Sequence, residues 1–93
     1  MRLTYAAVLL PDSDGGYVVE VPAIQGCVTR GQTLAEALLM AEDAIRGCLL
    51  VLQEDGDPIP REGSRVAVRL GRRREAILRK VTVRLDEEAR SVA

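Results

Sequence analysis

Fourteen carboxylates, thirteen cationic side chains, two cysteines and no histidine make up the reactive groups of this 93-residue chain. Metal-assisted hydrolysis of a polynucleotide needs carboxylates gathered on adjoining elements, with one commonly placed on the first buried strand. The opening apolar run, residues 3–10 (LTYAAVLL), carries none. Asp12 and Asp14 fall in DSDGG, a turn that lacks the remaining ligands and closing Glu of a calcium loop. Without histidine, no side chain of ordinary pKa exchanges a proton near neutrality. Cys27 and Cys48 read as two buried free thiols, small hydrophobes in a reducing compartment. The residues therefore point away from catalysis and call for no metal or cofactor.

Charge is divided along the chain. Residues 1–60 hold nine acids and three arginines, a balance of −6. Residues 61–93 hold nine arginines and Lys80 against five acids, a balance of +5. An acidic body would steer a basic protein partner toward itself. Its available acids are Glu20, Glu36, Glu42, Asp43, Asp55 and Asp57, each of which also reads as an ordinary solvated side chain. In the basic part, Arg72, Arg73, Arg74, Lys80 and Arg84 are the candidates for phosphate contacts. The competing reading is a charged, solvated arm that discourages strand-edge association. No aromatic residue interleaves with these arginines, which disfavours stacking on single-stranded nucleic acid.

The elements that must position these groups follow from periodicity. Residues 3–10 form a buried strand, DSDGG a turn, and YVVEVP a second strand that Pro22 ends. A short loop leads to CVTRG, a third strand. From Leu34 to Leu52 apolar residues recur every three or four positions, which predicts a helix over about 33–53. Thr33 with Glu36 forms its capping box. Pro58 and Pro60 mark a loop, and the alternation of RVAVRL, residues 65–70, predicts a fourth strand. LRKVTVRL alternates again, with Leu78, Lys80, Thr82 and Arg84 on one face and Arg79, Val81, Val83 and Leu85 on the other. DEEARSVA would begin a short helix.

The expected fold class is α+β: an antiparallel sheet of three to four strands with one helix on a face, in the order β-β-β-α-β. Residues 1–70 form that domain, and residues 71–93 a basic C-terminal β arm. So small an aliphatic core, with Tyr5 and Tyr17 as its aromatics, favours a homodimer or higher homo-oligomer. No run of eighteen apolar residues or signal-peptide pattern occurs, so the expectation is a cytoplasmic protein without a membrane partner.

The stretch GGYVVEVPAIQGCVTRGQTLAEALLMAEDAI resembles HicB-like antitoxins over roughly residues 3–70. The matching positions are Gly16-Tyr17, Val21-Pro22, Gly26-Cys27, Gly31, Thr33 and Glu36-Ala37. Read physically, Tyr17, Pro22, Gly26, Cys27, Gly31, Thr33 and Glu36 are devices that shape a scaffold. The resemblance implies a partial ribonuclease-H-like fold and a HicA-type toxin partner, an mRNA-cleaving protein whose active surface the antitoxin covers. It also implies, for many members, a DNA-binding C-terminus that represses the operon. KVTVRLDEEA is similar to the strand and first helical turn of a ribbon-helix-helix, here a truncated one or a strand exchanged between protomers. Operator DNA is thus a further expected partner, and an orphan scaffold without toxin the remaining alternative.

Overall fold

The computed structural model describes residues 1–62 and 76–85. Five elements succeed one another: β1 (Arg2–Pro11), β2 (Tyr17–Glu20), β3 (Val28–Gly31), α1 (Leu34–Glu54) and β4 (Ile77–Arg84). The four strands make one antiparallel sheet in the order β3-β2-β1-β4, and α1 covers one face.

The β1–β2 hairpin closes through the acid- and glycine-rich turn. The Asp12 amide donates to the Gly16 carbonyl at 3.0 Å, and the Gly15 amide to the Asp12 carbonyl at 2.9 Å. Arg30 of β3 reaches across to Asp12 at 3.2 Å. Asp12 therefore ties the turn to β3 and accepts from the Asp14 amide at 3.2 Å, and among the described residues no acid-and-thiol cluster is arranged to hold a metal.

Alternation along the strands sets the two faces of the sheet. Tyr5, Ala7 and Leu9 of β1, Val19 of β2, and Val81 and Val83 of β4, followed by Leu85, face the helix and are buried. On α1 the stripe Ala37, Ala41, Ile45 and Leu49, spaced by four, meets them. Two alanines in that stripe let the helix sit close over the sheet, with aliphatic side chains closing the gap. Each large side chain so buried contributes roughly 1.5–3 kcal/mol.

The helix begins as the capping box predicts. The Glu36 amide donates to Thr33 Oγ1 at 3.0 Å, and Glu36 Oε1 accepts from the Gln32 amide at 3.3 Å. It ends at Asp55, whose amide donates to Val51 and Gln53 carbonyls, before Gly56 turns the chain. The following loop returns beside β1: the Tyr5 hydroxyl donates to the Pro60 carbonyl at 2.7 Å, and the Thr4 amide donates to the Glu62 carboxylate. Burial, with Glu62 nearby, raises the Tyr5 phenol above its ordinary pKa.

Residues 77–84, expected within a trailing arm, lie in the body of the sheet and pair with β1 from Arg2↔Arg84 to Leu9↔Ile77. The physical reason is the face read from their alternation: Val81, Val83 and Leu85 have no solvent-free place except under α1. The expected strand at 65–70, the triple arginine at 72–74 and the short helix after Leu85 lie outside the described residues.

Candidate protein-interaction surface

The six acids considered for partner binding do not converge on one point. Glu20 lies on the sheet face away from α1. Glu36 serves the capping box, and Glu42 bonds Arg46 at 3.0 Å one turn on. Asp43 is exposed on the outer side of α1, Asp55 caps its end, and Asp57 is exposed just beyond. Helical spacing nonetheless aligns part of this charge: Glu36, Asp43 and Glu54 fall on one outer line of α1.

Beside that line runs an apolar flank of the same helix, Met40, Ala44, Gly47, Cys48 and Val51. Val51 is 56% exposed. At its C-terminal half this flank, with Leu52, forms one wall of a cleft of about 590 Å³. The 23–25 loop and the proline pair Pro58 and Pro60 make the other walls. The loop is fixed by bonds between the Val21 amide and Cys27 carbonyl, 3.0 Å, and the Cys27 amide and Ile24 carbonyl, 3.1 Å. Pro22 and Gly26 thus act on this wall, and the family motif shapes the cleft as well as the fold.

Gly47 begins the helical wall, ahead of Cys48, Val51 and Leu52. Glycine inside a helix costs about 1 kcal/mol against alanine. Close packing against the sheet would explain such a glycine, but a Cβ built on Gly47 meets nothing within 4 Å. The contrast is Gly31, where a Cβ would lie 2.6 Å from Ala37 Cα, and Gly16, where it would lie 2.6 Å from the Gly31 carbonyl oxygen. Those two glycines let β2, β3 and the start of α1 stack backbone on backbone.

Cys27 is buried beneath the cleft, and Cys48 lines it. Burial, together with the adjacent Cys48, pushes the Cys27 thiol up to about 12. Both cysteines are free.

A second cleft, about 540 Å³, lies on the other flank of α1 and is lined by Arg2, Glu42, Arg46, Thr82 and Arg84. Met1 and Leu85 exchange both backbone bonds, at 3.0 and 2.8 Å, so Arg2 and Arg84 form the next, closer-spaced pair. Like charges directly opposed in a sheet are destabilising without a counter-charge. Lys80 and Thr82 project from the same face, the Thr82 hydroxyl 2.7 Å from that of Thr4. The sequence therefore located Lys80 and Arg84 on one face correctly, while Arg2 as their companion required the β1–β4 pairing. The cleft at Gly47 went unread, although a glycine inside an otherwise strong helix and the two nearby prolines were its signals.

Comparison with known proteins adds four relationships. Residues 5–75 match the model of the HicB_like antitoxin of bacterial toxin-antitoxin system. A UPF0150 protein of Thermoplasma acidophilum is 40% identical over 62 residues, covering 67% of this chain and 90% of that protein. Antitoxin HicB 1 of Photorhabdus laumondii is 39% identical over 62 residues, 67% of this chain but only 40% of that antitoxin's length. Among solved structures, a chain of the HicA3 and HicB3 toxin-antitoxin complex has the same fold, with a TM-score of 0.72 at 24% identity. The match covers 89% of this chain and 100% of that one.

Proposed function

Because this chain belongs to the HicB-like antitoxin family, we propose that it binds a HicA-type toxin and masks the surface with which that toxin engages mRNA, itself taking no catalytic part. The observation that supports this most is the sheet-and-helix scaffold, which matches a chain of a HicA3 and HicB3 complex over its full length. The charge of the first sixty residues, −6, suits a partner that binds RNA and is basic for that reason. Masking requires only a complementary surface, and the acids that sequence reading would have needed for catalysis are spent on capping, ion pairing and solvation.

The test is co-expression with a HicA-type toxin. The two proteins should co-purify, with an association rate that falls as salt rises, and the pair should grow where the toxin alone arrests growth. Failure of both complex formation and rescue would remove this reading.

A second reading, operator DNA binding as a homodimer, draws on Arg2, Lys80 and Arg84 sharing one exposed sheet face, with Arg2 and Arg84 directly opposed. Phosphate contacts there would show as a steeply salt-dependent gel shift on the chain's upstream DNA, lost on changing Arg2 and Arg84 together. Absence of any shift at low salt would dismiss it. In this structure β4 is engaged with β1 along its inner edge, so a two-stranded ribbon between copies would use the outer edge.

A further inference from the structure

We propose that the cleft lined by Gly47, Val51, Ile24 and Pro58 is where the toxin seats, an inference that rests on the antitoxin reading and gives it a location. The occupant is a lysine- or arginine-bearing segment of the partner. Its backbone passes over Gly47, an apolar side chain enters between Ile24, Val51 and Pro58, and its cations meet Asp43, Glu54 and Asp57.

The first ground is the glycine. Nothing within the described chain approaches Gly47 closely enough to exclude a side chain. Close approach by another backbone is the remaining use of a missing Cβ in a helix wall.

The second ground is the lining. The walls are apolar, with Ile24 buried at the base and Val51 exposed at the rim. A concave apolar surface framed by charge is the form of an interface core with its polar border.

The third ground is that border. Asp43 lies one turn before Gly47, Glu54 follows Val51 by three residues, and Asp57 adjoins Pro58. Among the described residues, no cation lines the cleft. Arg46, next to Gly47 in sequence, points to the opposite flank, where Glu42 holds it. Arg61 follows Pro60 in the loop, so the acids Asp43, Glu54 and Asp57 run from the helix into the start of that loop. Such a field selects a basic partner and disfavours an acidic one.

The experiment measures affinity, by calorimetry, between the full chain and a catalytically silenced form of the HicA-type toxin encoded beside its gene. Gly47→Arg should weaken binding by at least about 30-fold, the loss typical of a blocked interface centre. Gly47→Ala should melt higher than the parent by a few degrees, roughly, yet bind more weakly. Lys80→Ala, on the opposite sheet face, should bind as the parent does. In the unmodified protein, maleimide should label Cys48 in the free chain, and the toxin should block that labelling.

If the parent binds and Gly47→Arg binds equally well, the location is wrong and the antitoxin reading stands. If Gly47→Arg lowers the melting temperature while affinity is retained, the cleft accommodates the chain's own residues and the inference is likewise overturned. If the parent does not bind the toxin at all, the antitoxin reading fails first.

Discussion

Gly31 of β3 and Ala37 of α1 are in backbone contact, so close that a methyl on Gly31 would stand 2.6 Å from Ala37 Cα. Backbone on both sides leaves no flexible side chain to give way. Gly31→Ala should therefore destabilise the fold by about 1–3 kcal/mol or more, as overpacking does. Gly47→Ala, the same chemical change sixteen residues on, should stabilise it by up to ~1 kcal/mol. Urea titration of the two variants side by side checks the sign; equal shifts would contradict the packing described.

Removing the cap of α1 should be measurable in isolation. Thr33→Ala deletes the oxygen that accepts from the Glu36 amide, and the expected loss is about 1 kcal/mol. Thr33→Ser should recover most of it. Thermal melts followed by far-ultraviolet circular dichroism report both.

Substitutions along β4 should separate a strand of the core from a trailing arm. Leu85 is 1% exposed and Leu78 is 43% exposed. Leu85→Ala is expected to cost about 2–5 kcal/mol, whereas Leu78→Ala should stay within about 0.5 kcal/mol of the parent. Comparable small effects at both positions would mean that β4 does not pack beneath the helix.

The buried thiol predicts a dependence on alkaline pH. Cys27 in the folded chain holds its proton to about 12, against 9.0 for a free thiol. Below 9 both folded and unfolded chains keep the proton. Above it the unfolded chain releases the proton first, so stability declines as pH rises toward 12. Tyr5, raised in the same direction, steepens the decline. Cys27→Ala, compared with its own value at pH 8, should lose less stability at pH 10.5 than the parent does. An equal loss would place the effect elsewhere.

Much of this architecture was legible because several local signals agreed. Thr33 and Glu36 located the start of α1 within one residue, and the turn at residues 12–16 fixed the first hairpin. Alternation assigned Val81, Val83 and Leu85 to one face. What periodicity cannot supply is the neighbour: alternation marked 77–84 as a strand, and only the register against β1 shows where it pairs. The candidate surface was less legible for a related reason. A list of acids carries no information about which are engaged, and Glu36, Glu42 and Asp55 prove to serve the helix itself. The cleft depends on Ile24, Gly47 and Pro58, three residues that become neighbours only on folding.

The sheet is completed by the pairing of its first strand with its last, and Leu3 opposite Val83 spans 80 residues of sequence. At a synthesis rate of about 5–20 residues per second, roughly 4–16 s separate the emergence of the two partners from the ribosome. During that interval one long side of the first strand has no mate, and the helix lies over an unfinished floor. A newborn molecule is for those seconds accessible to proteases and unable to present a settled surface to its partner, so the delay between translation and protection is built into the order of the strands.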